Sequence, residues 1–234
     1  MTEGEHLEEH KQLNPAVRDI IIGTSDGLTV PFAIAAGLAS ANVSDATIII
    51  AAVLAEIAAG SVSMGLGGYL AANTEAKHYA SERAREEWEV EHKPDVERKE
   101  VQDFFIQYGL TAAETVPIVN SLSQRKKDWV DFMMRFELGL EEPDKRRAFK
   151  SALTIGGAYI VGGLIPLSPY IIIGHADVER AFVFSIFTTF VALVVFGFLR
   201  GRVIGTDVWR SLAQTVFVGA LAAFAAFMLA KLVP

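Results

Sequence analysis

Five apolar stretches, each long enough to cross a bilayer, leave this chain few ways to fold. They cover residues 20–41, 46–72, 151–173, 181–199 and 211–230. At about 1.5 Å of rise per residue, some twenty residues of helix span the roughly 30 Å of hydrocarbon. No water reaches the backbone there, so each N–H and C=O must be satisfied within the chain, and stretches of this length do so as helices. The second stretch is rich in small residues, among them Ala55, Ala59, Gly60, Ser63, Gly67 and Gly68, which allow helix backbones to approach closely. In the third, Gly156-Gly157 and Gly162-Gly163 suit the same contacts, while Pro166 and Pro169 are expected to end or kink the helix.

Three of the four connections are too short to hold a domain; the fourth carries most of the charge. Of the 21 Lys and Arg, fourteen lie between Glu75 and Lys150. Lys11 and Arg18 precede the first span, Arg200, Arg202 and Arg210 lie between the fourth and fifth, and only Arg180 and Lys231 fall on the other side. Positive residues stay on the cytosolic side, so the N-terminus and the charged stretch are both expected there. The expected fold is an all-α membrane protein with five transmembrane helices and a cytosolic helical domain inserted between helices 2 and 3. The expected boundaries are a disordered head at 1–16, helices 1 and 2 at 17–73, the inserted domain at 74–142, and helices 3 to 5 at 143–234. The acidic, apolar-poor head shows no cleavable signal peptide. A net charge of -7 without a basic stripe excludes nucleic acid as a partner. With no Cys, any metal must be held by carboxylate, imidazole or thioether.

Two groups of residues carry chemistry. In the charged stretch, Glu75, Glu82, Glu86 and Glu89 share one face of a helix that continues the second span as far as Pro94. Beyond Pro94, Glu97 and Glu100 lie one turn apart, in line with Val101, Phe104 and Tyr108. Thr111 and Glu114 form a capping box that opens a short helix before Pro117. A final helix at about 128–140 holds Trp129, Phe132, Met133, Met134, Phe136 and Glu137. A solvated helical bundle with methionines filling its core explains this pattern in part. Like charge gathered on one face, however, costs stability unless a cation neutralises it. Oxygen ligands with added thioether sulfur favour a transition ion such as Fe2+ over Mg2+ or Ca2+.

The second group lies inside the spans. Asp26 is about nine residues into the first stretch, hence about 14 Å deep. Pro31 follows five residues later and deprives the Gly27 carbonyl of its donor. Glu56 reaches similar depth from the opposite side, and Met64 follows two turns further along. A carboxylate at that depth is expensive and usually functional, because it must be neutralised by a proton or a cation. The alternative is a structural acid bonded to Ser25 or to another helix.

RDIIIGTSDGLTVPFAIAAGL at 18–38, AAGSVSMGLGGYLA at 58–71, DFMMRFELGLEEPD at 131–144 and GGLIPLSPY at 162–170 resemble the vacuolar iron transporters. The resemblance runs from about Val17 to the end of the chain. It implies a homodimer of five-helix subunits, an ion path between the two first helices, and ferrous ion moved out of the cytosol in exchange for protons. By the same resemblance the metal ligands of the cytosolic domain are Glu86, Glu89, Glu97, Glu100, Met133, Met134 and Glu137. The path residues are Asp26 and Met64, to which depth adds Glu56. No permanent cofactor is expected. Fe2+ is the transported substrate, with Zn2+, Co2+, Mn2+ and Ni2+ as further ions for the same site. The expected location is the vacuolar membrane in a eukaryote and the inner membrane in a bacterium. The competing function is a membrane-tethered di-iron carboxylate oxidase or iron-storage protein. Glu75-x-x-His78 and Glu89-x-x-His92 suggest it, but on one continuous helix the two motifs lie about 21 Å apart.

Overall fold

The computed structural model describes residues 14–41 and 43–232. Among them every regular element is helical: α1 (Pro15–Ser40), α2 (Ala46–His92), α3 (Pro94–Gln107), α4 (Ala112–Ser123), α5 (Lys126–Phe132) with a π-helical continuation (Met133–Glu137), α6 (Arg147–Ile173), α7 (Val178–Ile204) and α8 (Val208–Leu232). The chain divides into two compact units. Leu70–Ala148 forms one, and the residues before and after it form the other. Most of the expected disordered head lies outside the described residues; its last two positions already belong to α1, whose first turn Asn14 caps by accepting from the Ala16 N–H at 2.9 Å.

In the flanking unit, α1, α2, α6, α7 and α8 are each long and apolar enough to cross a membrane, and they coincide with the five apolar stretches. Large side chains such as Val183, Phe187, Phe217, Phe224 and Leu229 remain more than half exposed on α7 and α8. Hydrocarbon accommodates such a surface and water does not. The core gathers Ile49, Val53 and Ile57 of α2 with Leu167 and Tyr170 of α6, Ala35 of α1 and Ala181 of α7.

Backbone lies on backbone between α1 and α6, between α2 and α6, where a Cβ at Gly156 would fall 2.9 Å from the Ser61 carbonyl, and between α7 and α8. At Gly27 of α1 a Cβ would run into the Tyr159 backbone of α6, and at Gly197 of α7 it would fall 2.8 Å from the Leu212 Cα of α8. Small residues therefore set these distances, since apolar side chains gain nothing by leaving lipid for one another. The Ser211 hydroxyl uses the closeness of α7 and α8 to reach the Gly197 carbonyl at 2.9 Å.

Prolines stop fewer helices than expected. α6 runs through both Pro166 and Pro169. Pro169 leaves the Ile165 carbonyl without an N–H, and the Ser168 hydroxyl supplies a proton at 2.8 Å. Ser185 of α7 donates to the Pro166 carbonyl at 2.7 Å, fully buried. A substitute of the kind Ser168 provides is how proline is tolerated in a span; the Ser185 bond is an additional tie between α7 and α6. α4 likewise continues through Pro117 to Ser123, although its capping box at Thr111 and Glu114 forms as expected.

In the Leu70–Ala148 unit, Val90, Val101, Val119, Trp129, Val130, Met133 and Met134 form one core. The helix expected over 128–140 starts earlier, at Lys126, and changes its winding at Met133. The Leu138 N–H reaches back five residues to the Met133 carbonyl at 3.1 Å, and Gly139 then turns the chain with φ of 64°.

Substitutions at two glycines separate close approach from helix propensity. Gly27→Ala should destabilise the purified protein by about 1–3 kcal/mol, because the backbone it meets cannot move aside. Gly67→Ala, with open space around it, should be neutral or slightly stabilising. Thermal unfolding in detergent checks both; equal melting temperatures for the two variants would refute the contact.

Candidate functional site

The flanking unit places its two candidate acids on α1 and α2, with a tyrosine of α6 beside one of them. Glu56 on α2 is partly buried and accepts a short hydrogen bond from the hydroxyl of Tyr159 on α6. Its other carboxylate oxygen is buried with no partner among the described residues. The Tyr159 ring is 2% exposed, and it fits because position 60 is glycine: a Cβ there would overlap the phenol. Asp26 on α1 is partly buried and precedes Gly27, which lies against the Tyr159 backbone. No hydrogen bond from Ser25 or any other described residue holds Asp26, so the structural alternative gains no support. Met64, eight residues after Glu56, is also partly buried on α2. Tyr159 was not among the candidates from sequence. The available signal was a phenol in an uncharged span, where a buried hydroxyl needs a partner, although Tyr170 of the same span gives the same signal.

The Leu70–Ala148 unit holds the other set. Glu86 of α2 and Glu97 of α3 are 3% and 2% exposed, yet each keeps one buried carboxylate oxygen without a partner. Glu89 is partly buried, while Glu100 and Glu137 reach the surface. The group is electrostatically coupled. Burial, reinforced by the charges of Glu100, Glu86, Glu89 and Glu137, pushes Glu97 up to about 8. Partial burial followed by the charges of Glu100 and Glu86 pushes Glu137 up to about 7, with Arg85 opposing. Glu86, well past the apolar part of α2, is raised by burial and then by Glu89, and Arg85 partly offsets this. Arg85 lies 3.5 Å from Glu86 and 3.6 Å from Glu89, and Lys93 lies 3.3 Å from Glu89.

Among the described residues no three His, Asp or Glu side chains converge tightly enough to form a ready-made ion site. The carboxylates are neighbours but stand apart, as like charges do. Met133 and Met134 are each 1% exposed in the core, the packing role that the bundle reading assigns them. With Glu137 they occupy the π-helical turn, a winding often found at functional positions. The two Glu-x-x-His motifs both lie on α2. His78 approaches Glu82 at 3.9 Å, and His92 stacks on Trp88 and contacts its carbonyl.

Comparison with known proteins places the chain in a family. The VIT family model matches residues 17–231. Vacuolar iron transporter 1 of Tulipa gesneriana is 53% identical over 229 residues, covering 98% of this chain and 92% of the relative. Vacuolar iron transporter 1 of Arabidopsis thaliana is 52% identical over 228 residues, covering 97% and 90%. Protein CCC1 of Saccharomyces cerevisiae is 36% identical over 224 residues, covering 92% and 68%. With a match across nearly its whole length and relatives at this identity, the chain belongs to the VIT family.

Proposed function

We propose that this protein is a secondary transporter, not an enzyme, that moves Fe2+ out of the cytosol in exchange for protons. The observation that carries the reading is Glu56, a carboxylate within a membrane-spanning helix, held on one oxygen by Tyr159 and unpartnered on the other. A bare charge there is too costly to persist, so the group holds either a proton or a cation. Asp26, near the Gly27–Tyr159 contact, is bound by the same rule. Exchange follows from competition: an arriving metal ion displaces protons from Asp26 and Glu56, and protons from the acidic side return to release it. Met64 supplies a softer ligand along the path.

Names of relatives, vacuolar iron transporters in plants, support iron as the cargo and the vacuolar membrane as the location. Zn2+, Co2+, Mn2+ and Ni2+ are further substrates of this reading. The N-terminus and the Leu70–Ala148 unit face the cytosol, where lysine and arginine concentrate. Two copies pair with the path between their first helices. In the Leu70–Ala148 unit, Glu86, Glu89, Glu97, Glu100, Met133, Met134 and Glu137 collect the metal. The unpartnered oxygens of Glu86 and Glu97 support this role, because a buried carboxylate without a donor is satisfied by a cation.

Replacing Glu97 and Glu100 together with Ala should weaken divalent-metal binding by about tenfold or more, since each supplies charge and a hard oxygen. Calorimetry with Co2+ on the full-length protein in detergent reads this; unchanged affinity would remove both residues from the site.

The raised carboxylates fix a pH dependence. Their folded-state values lie above the ordinary one, so the folded state holds extra protons between about 4.5 and 8. Stability of the metal-free protein should therefore fall as pH rises through that window. Metal needs the ionised groups, so affinity should rise across the same interval and added Co2+ should restore the lost stability. Melting temperatures at pH 5.5 and 8.5, with and without metal, test both signs. A metal-free protein more stable at 8.5 would contradict the first.

Asp26→Asn keeps shape but removes the titrating charge, and it should abolish uptake driven by a pH gradient in liposomes while Co2+ binding by the same protein persists. Tyr159→Phe removes the donor to Glu56, and should slow uptake and shift its pH profile. Native rate and pH dependence in Asp26→Asn would move the exchange elsewhere, first to Glu56.

A further inference from the structure

α7 and α8 meet in a tight corner. Gly205 ends α7 in the left-handed conformation with φ of 75°, and Asp207 opens α8 by accepting from the Arg210 N–H at 2.8 Å. Arg200, Arg202 and Arg210 surround this corner, and Asp207, occupied as the cap, is the only acid within 200–210. Among the described residues none of the three arginines has an ion-pair partner. Arg202 lies over the Phe198 ring at 5.8 Å. Elsewhere Arg83, Arg85, Arg125 and Arg180 each hold a carboxylate at 2.7 to 3.0 Å.

Helix stability does not account for Arg210. It stands in the first turn of α8, where the helix end is positive and a cation is unfavourable. An external anion removes that conflict. A fourth arginine lies at the same level. α1 and α8 touch where Gly37 meets Ala226 and Ala230 and the Ser40 hydroxyl donates to the Phe227 carbonyl. Five successive crossings give the two helices one direction. Counting back from this contact, Arg18 lies about 28 Å and Arg210 about 24 Å along their helices, and Arg18 is exposed. Between the arginines stand apolar side chains in the open: Trp209 is 79% exposed and Val203 55%. Free phosphate satisfies only the guanidinium groups. A phospholipid with a negative headgroup satisfies both, with its phosphate on the arginines and its chains beside an indole of the kind found at membrane edges.

We propose that the α7–α8 corner is a binding site for an anionic phospholipid, with Arg200, Arg202 and Arg210 receiving the headgroup and Trp209 lying beside the acyl chains. The inference uses the membrane-spanning helices and not the metal chemistry, so it stands or falls separately from iron transport. The full-length protein in detergent is titrated with short-chain phosphatidylglycerol, short-chain phosphatidylcholine or inorganic phosphate, reading bound lipid by native mass spectrometry and stability by thermal unfolding. Phosphatidylglycerol should bind about tenfold or more tightly than phosphatidylcholine and raise the melting temperature, and about 0.5 M NaCl should remove most of that preference. The triple variant Arg200→Gln, Arg202→Gln, Arg210→Gln should bind both lipids alike. An equal charge change elsewhere, Arg98→Gln, Lys99→Gln, Lys127→Gln, should keep the preference. Arg210→Gln alone should lose part of it, which keeps the test decisive if the triple variant does not fold. An undiminished preference in either corner variant overturns the proposal. So does inorganic phosphate stabilising the protein as strongly as phosphatidylglycerol, which would assign the corner to a free anion.

Discussion

A carboxylate oxygen closed off from water and unpaired is among the most expensive things a protein can bury, and the described residues contain three: one each on Glu56, Glu86 and Glu97. Each demands something the chain itself does not supply. In the membrane-spanning helices, Tyr159 meets half of the demand at Glu56 and leaves the other half open. In the Leu70–Ala148 unit, Glu86 and Glu97 come from different helices and share the company of Glu89, Glu100 and Glu137. Burial, reinforced by repulsion within that group, raises its affinity for protons; under the proposed function, metal ions compete with protons for the same oxygens. The family membership and the names of relatives say which metal to expect; the buried oxygens say why a cation is wanted at all.

The packing around Tyr159 shows how closely the acid in the membrane depends on residues that carry no chemistry. Gly60 leaves room for the phenol, and Gly27 lets α1 lie on the backbone of the same residue. Glycine at these two places therefore fixes the position of the donor to Glu56 and the distance of Asp26's helix from it. A larger residue at either site would displace the pair without touching a charge.

Much of the architecture was legible because hydrocarbon imposes a simple rule. Apolar runs of some twenty residues had to become helices, and all five did. Depth counted along the chain was enough to single out Asp26 and Glu56, and helical spacing joined Glu86 to Glu89 and Glu97 to Glu100. The prolines misled, since whether a proline stops a helix depends on what else can reach the freed carbonyl. Ser168, three residues beyond Ile165, reaches the carbonyl that Pro169 frees, and only the folded chain reveals that it does so. Tyr159 escaped because its importance rests on a contact 103 residues away. The altered winding after Phe132 also escaped, for a π turn has no periodicity of its own in a window of five residues.

That turn has a consequence for how the sequence can vary over evolutionary time. A π turn is an α-helix holding one surplus residue. Removing any one residue from Met133–Glu137 would let the helix close into ordinary α winding while its hydrogen-bond ladder stayed complete. The helix on either side would keep nearly its former facing, because the wider turn is what absorbs the extra residue, and only the side chains within the turn would be reset. Descendants that had lost the codon would keep a sound helix and lose the alignment of the two methionines with Glu137. In this stretch, therefore, a one-residue gap between related sequences would say more about altered chemistry than several substitutions would.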